Sequence, residues 1–314
     1  MKIHALVDPP DEKLVEELQS FESQFEYPLG ANQNFRISHG PDYRRFSRSI
    51  GKSVCFIAEK NDQVVGVLNT VVRPIIFPDT NERSVVYICD LKIAPVARCG
   101  FTLLNLASAA REWHRETTHA FGVVMDGTRA LPSRYTGRVG IPVFHKLGEI
   151  VILRIPTLSH LNKACDCLEV TASEAYRSFQ RLTQGRYAAF CGNSAMRSQH
   201  PPHYMLLSDG SACALLEDTM KAKQLIQSDG LQMISAHLSC FAFQDAKAAI
   251  RLIRSALILC TDRGLPAMFV ALTPNDSKAV LSESDLGQVT VAPATTYGTG
   301  FELNKEWNIN TSEI

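Results

Sequence analysis

The chain has 314 residues, 45% of them apolar and 20% charged, and its 32 basic and 32 acidic side chains cancel to a formal net charge of zero. That length holds about two domains of roughly 150 residues, and the composition is that of a packed chain, not a disordered one. Zero net charge argues against a nucleic-acid binder, which needs clustered positive charge.

In chain order, apolar residues at 14, 15, 18, 21 and 25 recur at helical spacing and predict an amphipathic helix over 11–25. SVCFIAE (53–59) and VVGVLNTVV (64–72) flank a polar turn and predict a hairpin. SVVYICDLKI (84–93) is a long strand ending at Pro95, 102–115 a helix, and AFGVVM (120–125) a short buried strand. Residues 141–147 read as a helix stopped by Gly148, and EIVILRI (149–155) as a closing strand. A hairpin feeding a strand–turn–helix–strand unit means a mixed sheet.

The order then partly repeats. Residues 157–170 read as a connector and 173–182 as a helix, with strands over 186–191, 203–207 and 212–216. Residues 208–211 make a tight turn. Strands are expected over 231–239, 267–273 and 298–303, with a helix over 244–262, and 308–314 reads as a mostly polar tail. The strand–helix–strand pattern of 84–125 returns in 231–273, so the chain reads as an internal duplication: a first domain over 1–156 and a second over 171–314.

The most apolar helical window, 250–260, is broken by Arg251 and Arg254, far short of the about 20 apolar residues of a membrane span. The N-terminal MKIHALVDPPDEK turns acidic too soon for a signal peptide. Nine cysteines cannot all pair, and six lie within apolar runs as small hydrophobes. Cys165 and Cys167 are close but lack the second pair a zinc site needs. A cytoplasmic protein without a metal is the expectation, and composition leaves a homo-oligomer open.

One stretch carries chemistry. The strand 87–93 runs through Pro95, a turn with Arg98 and Gly100, and into a helix. Such a turn leaves main-chain N–H groups unpaired at the positive end of a helix dipole, a place for phosphate. Gly100 admits a close approach and Arg98 adds fixed charge. A glycine in a strand-to-helix turn is equally a common structural device.

With Pro95 and Arg98 at Pro-x-x-Arg spacing, Gly100, Leu103-Leu104 and, further on, Phe144-His145-Lys146-Leu147-Gly148, the sequence resembles the GNAT superfamily of N-acetyltransferases over about 11–155. The resemblance implies an α/β fold of two tandem acyl-CoA N-acyltransferase-like domains. Each would be a mixed, mostly antiparallel twisted sheet flanked by helices, the second degenerate. It implies acyl transfer, most simply from acetyl-CoA, by direct attack of an amine on the thioester; the acceptor is a small-molecule or peptide amine.

The implied cofactor-binding residues are Leu91, Lys92 and Ile93 at a strand bulge, then Arg98, Cys99, Gly100, Phe101, Thr102 and Leu103 in the loop. Departures accompany these. Arg98 is one place off when the loop is anchored on Gly100, and Thr102 replaces a small residue. In the second half SCFAFQD (239–245) retains neither glycine nor arginine. Asp90 and Asp126 are candidate bases. Phe144 stands where the family has its acid tyrosine, and Tyr135 is a substitute. A non-catalytic acyl-CoA binder, or an unrelated two-domain α/β protein, are the competing readings.

Overall fold

The computed structural model describes residues 1–30, 33–98, 100–128, 130–157, 166–283 and 285–314. The first half builds β1 (Lys2–Leu6), α1 (Glu12–Glu22), β2 (Tyr27–Leu29), β3 (Gln33–Ser38), α2 (Arg45–Ile50), β4 (Lys52–Lys60), β5 (Gln63–Ile76), β6 (Glu82–Ile93), α3 (Thr102–Trp113), β7 (Ala120–Met125), α4 (Pro132–Tyr135) and β8 (His145–Pro156). The second half opens with β9 (Cys167–Glu169), α5 (Ala172–Leu182), β10 (Tyr187–Ala188), α6 (Ser194–Arg197), β11 (His203–Leu207), β12 (Ala212–Glu217) and β13 (Gln224–Gln227). It continues with β14 (Ala236–Phe243), α7 (Ala246–Asp262), β15 (Ala267–Leu272), α8 (Pro274–Glu283), β16 (Thr290–Thr299) and β17 (Trp307–Asn308). Short 3-10 turns occupy Pro95–Ala97 and Thr311–Glu313. No helix among the described residues is long and apolar enough to cross a membrane.

One sheet runs through both halves in the order β1-β4-β5-β6-β7-β16-β8-β15-β14-β12-β11-β9. Its pairs along this path are antiparallel except β6–β7 and β14–β15, the two pairs whose strands are linked through α3 and α7. The repeated strand–helix–strand unit is therefore present twice. Between β7 and β15 the halves alternate strands: β16 of the second lies against β7 and β8, and β8 of the first lies against β15.

Several elements differ from the sequence reading. Residues 145–147 are strand, not helix, because β16 offers this end of β8 a ladder, with Tyr297 opposite Lys146 and Gly298 opposite His145, and Leu147 buries beside it; β15 joins the other edge only from Val151 onward. β16 begins at Thr290 although Pro293 interrupts its pattern. The proline sits past the end of β7, where a missing N–H costs no ladder bond, and its carbonyl still accepts from Asp126 N at 2.9 Å. β14 starts at Ala236, not at 231.

The tail 308–314 is packed inside: Thr311, Ser312 and Glu313 are buried. Its polar groups are matched by Arg73 to Glu313 at 2.5 Å, and by Asn310 Nδ2 donating to the Ala189 carbonyl at 2.8 Å. A separate small sheet, β13-β3-β2, joins the halves over the main sheet. Its β3 carries Phe35 and Ile37 at alternate positions, a period-2 signal short enough to pass unread.

Candidate active site

The site begins where two strands separate. β6 and β7 pair in parallel only from Val86 to Ile88. At that point β6 also changes register against β5: Asn69 faces Asp90 but Thr70 faces Ile88, so Cys89 is an extra residue in a bulge. The bulge therefore lies at Cys89 and not at 91–93, which still pair regularly with β5. A glycine lets the last pair approach closely before the strands part: a Cβ on Gly122 would stand 3.1 Å from the Ile88 carbonyl oxygen. Beyond Ile88 the β7-facing edge of β6 has no strand partner among the described residues.

The gap opens into a cavity of about 370 Å³, mostly apolar. Leu103, Ala107 and Ala110 of α3 wall one side, and Phe35 and Ile37 of β3 with Leu225 of β13 wall another. At its α3 end the helix starts after Phe101 with no side-chain cap, so its first N–H groups are open to an anion. The second half shows the contrast. Asp245 caps α7 by accepting from Ala248 N at 2.9 Å, filling the equivalent position with a carboxylate.

Of the candidate loop residues, Arg98 and Gly100 are exposed, and Phe101 is 72% exposed. Arg98 Nε donates to the Ile93 carbonyl at 3.2 Å. Thr102 is buried against Gly66 with its hydroxyl turned to Met1 Sδ, so it does not cap α3. Leu91 and Leu103 line the cavity. Cys99 lies outside the described residues.

The candidate bases separate. Asp126 is exposed at the end of β7, accepts from Thr295 Oγ1 at 3.1 Å and is not among the cavity-lining residues. Asp90 lines the cavity, but its Oδ2 accepts from Tyr43 Oη at 2.8 Å and Lys92 Nζ at 2.9 Å. Tyr135 reaches the cavity from α4, and burial pushes its hydroxyl up to about 12. It is therefore a protonated donor across the working range. Phe144 lines the same wall. Burial pushes the Cys89 thiol well above its ordinary value, so this cysteine is a wall, not a nucleophile.

The Lys92 ammonium is engaged inside the protein. It is 2% exposed and its ammonium bridges Asp90 and Glu22, each at 2.9 Å. Glu22 also receives His39 Nδ1 at 2.5 Å and the His39 N–H at 2.9 Å. Glu22, His39 and Asp90 place ligand atoms within 4.8 Å of one another, but the Lys92 ammonium already serves as the cation for both carboxylates.

Burial alone would raise the Glu22 carboxyl. The His39 and Lys92 charges and hydrogen bonds overcome this and hold it at about 2, below the ordinary 4.5. The sign follows: a carboxyl depressed on folding stabilises above 4.5, and that contribution fades as pH falls toward 2. Glu22→Gln should thus cost about 3 kcal/mol at pH 7. In urea melts the gap to wild type should close below pH 4; a gap that persists there would contradict the ion-pair account. Tyr43, His39 and Glu22 were not legible as site residues, because each comes from a different element.

The second half supplies the remaining wall. Lys223, His237, Phe269 and Thr311 line the cavity. Lys223 Nζ donates to the Ile314 main-chain carbonyl and lies 4.3 Å from the Phe46 ring centroid. A histidine inside the apolar run 236–243 was the available signal for His237.

No family model matches the sequence, and no curated protein matches it. The fold recurs among solved structures. Saccharomyces cerevisiae N-myristoyltransferase with bound myristoyl-CoA aligns over 99% of this chain and 87% of its own, with a TM-score of 0.65 and 11% identity. A GCN5-related N-acetyltransferase from Anabaena variabilis aligns over 95% of this chain and 72% of its own, at TM-score 0.52 and 12% identity. A GCN5-related glucosamine N-acetyltransferase region of a fungal multi-domain beta-N-acetylglucosaminidase covers 95% of this chain and 38% of its own, at TM-score 0.57 and 13% identity. At such identities the likeness is one of fold, the GNAT architecture, and N-myristoyltransferase shares it over nearly the whole chain.

Proposed function

We propose that this chain, built on the N-acyltransferase fold, transfers an acyl group from acyl-CoA to an amine of a small molecule or peptide. The observation that carries the reading is the parting of β6 and β7 beside the Cys89 bulge, into an apolar cavity walled by α3, a helix whose N-terminus has no side-chain cap. In this reading the residues over 1–156 hold the cofactor, 157–170 connect, and 171–314 complete the acceptor wall.

The pyrophosphate sits on the first N–H groups of α3, with Gly100, Phe101, Thr102 and Leu103 as the floor and Arg98 alongside. Main-chain groups of β6 at and beyond the bulge, through Leu91 and Ile93, hold the pantetheine arm and polarise the thioester carbonyl. The amine nitrogen attacks that carbonyl, the C–N bond forms and the C–S bond breaks with its electron pair on sulfur. The amine gives up one proton to solvent water, and in this reading Tyr135 protonates the leaving thiolate and regains its proton from solvent. Acetyl is the simplest acyl group, and the apolar lining extends the candidates to longer chains.

A thermal-shift titration tests this. Acetyl-CoA at about 100 times its Kd should add about 2.7 kcal/mol, a rise of several degrees in Tm. Dephospho-CoA should give less if the 3′-phosphate is read. No shift with acetyl-CoA or with longer acyl-CoAs would overturn the assignment. One feature favours a non-catalytic acyl-CoA binder: Asp90 is tied up by Lys92 and Tyr43 while Asp126 points elsewhere. Saturable acyl-CoA binding without turnover over a broad amine panel would select that reading.

A further inference from the structure

His237 has no part in the chemistry described so far, yet it is the most constrained imidazole of the cavity. It sits on β14 and is 3% exposed. Its ring lies on Phe269 of β15, with centroids 5.3 Å apart and planes 23° from parallel. Nδ1 is 3.0 Å from Thr311 Oγ1. Its Nε2 has no hydrogen-bond partner among the described residues, while the residue lines the cavity that Cys89 and Asp90 line from β6. Buried ring nitrogens are normally satisfied, and one left open in a roomy cavity marks the place of a ligand group.

Resting on the acyltransferase reading, we propose that His237 receives the acceptor: Nε2 accepts a hydrogen bond from the amine N–H and aims the nitrogen lone pair at the acyl carbonyl beside the bulge. In this assignment the ring proton sits on Nδ1, donated to Thr311 Oγ1, which leaves the lone pair on Nε2. Four groups on neighbouring elements bear on the ring: Lys223 ahead of β13, Arg197 on α6, Asp218 after β12 and Thr311 of the closing turn. Burial first, then the Lys223 charge, keep the ring well below its ordinary value and therefore neutral. A second copy of the positive charge is unwelcome here, whereas a hydrogen-bond donor is not.

The rest of the pocket describes the body of the acceptor. Phe35, Ile37, Leu225 and Phe269 flank the same space, which suits an amine carried on an apolar or aromatic group. Benzylamine is accordingly the probe.

Two readouts on the intact protein test the assignment. In 15N-histidine NMR, His237 should rest with Nδ1 protonated and Nε2 bare, and benzylamine should move the Nε2 resonance. A resting ring protonated on Nε2, or one indifferent to benzylamine, would overturn the proposal. In steady-state assays with acetyl-CoA, His237→Ala should lower kcat/KM for benzylamine by about 10- to 100-fold, leaving the acetyl-CoA KM near wild type. His237→Gln should recover part of the loss, because its carbonyl accepts the same hydrogen bond. Unchanged amine kinetics in His237→Ala would equally overturn it. Failure of the parent reading is separate: it appears as no thermal shift with any acyl-CoA, and the NMR readout then decides by itself whether His237 binds amines.

Discussion

Gly100→Glu is expected to weaken acyl-CoA binding by more than about 100-fold while Tm stays level or rises slightly. The two halves of that expectation have separate physical origins. For the fold, Gly100 is an exposed residue, and a Cβ built there meets nothing nearer than the Ala97 carbonyl at 3.8 Å. The backbone does not require glycine, and an acidic side chain ahead of a helix adds about 0.3–1 kcal/mol through the dipole.

For the ligand, the same carboxylate would stand where the pyrophosphate must lie and would repel it. Asp245 already illustrates the effect by closing the N-terminus of α7. Isothermal titration with acetyl-CoA alongside a thermal melt checks both halves, and Gly100→Ala should fall between. Wild-type affinity in Gly100→Glu would remove the loop from the cofactor site.

Arg197→Ala should cost about 3–5 kcal/mol, the range for breaking a buried ion pair. Arg197 is fully buried and its guanidinium forks onto Glu217, Nε and Nη2 each donating at 2.9 Å. It also lies 3.5 Å from Glu313, and contacts Ser49 of α2 and Ser312 of the closing turn. Removing it leaves Glu217 without its cation in a dry interior and unties the first half from the second at one point. Against a typical total of about 5–15 kcal/mol, that is a large fraction. Urea unfolding measures it. Arg197→Met with Glu217→Met should recover much of the loss, since the penalty comes from the stranded charge; a double variant as unstable as the single one would locate the cost in packing.

Local pattern carried much of this architecture. α1, α3, α5 and α7 are legible from helical spacing, and the β4–β5 hairpin, β6 and β7 from alternation and turn residues. The strand–helix–strand unit recurs in both halves as expected. What failed was set by partners distant in sequence. Residues 145–147 have a weak helical spacing that the ladder to β16 overrides, and Pro293 lies in a strand because β7 ends beside it. The tail 308–314 is polar by composition but buried by pairwise matching with Arg73, Arg197 and Ala189.

For the candidate site, Asp90, Leu103 and Tyr135, which line the cavity, were readable one residue at a time. The bulge position was not, because a bulge is a difference in register between two strands, and only the pairing of β5 with β6 shows Cys89 as the extra residue. Lys92 was read as part of a bulge whose main chain holds the cofactor; the bulge lies at Cys89 instead, and the Lys92 ammonium pairs with Glu22, 70 residues earlier.

The sequence by itself determined an α/β chain with a strand–helix–strand unit in each half and a glycine turn opening a helix at a strand end. These are local properties, written in periods of two and 3.6 and in the chemistry of a few consecutive residues. Tertiary structure alone decided which carboxylates are free, where the strands part, and that the halves interleave β16 and β8. It also brought His237 of β14 to the cavity that Cys89 and Asp90 line from β6. Those are facts about groups 20 to 240 residues apart, whose charges and backbone partners meet only when the chain is folded.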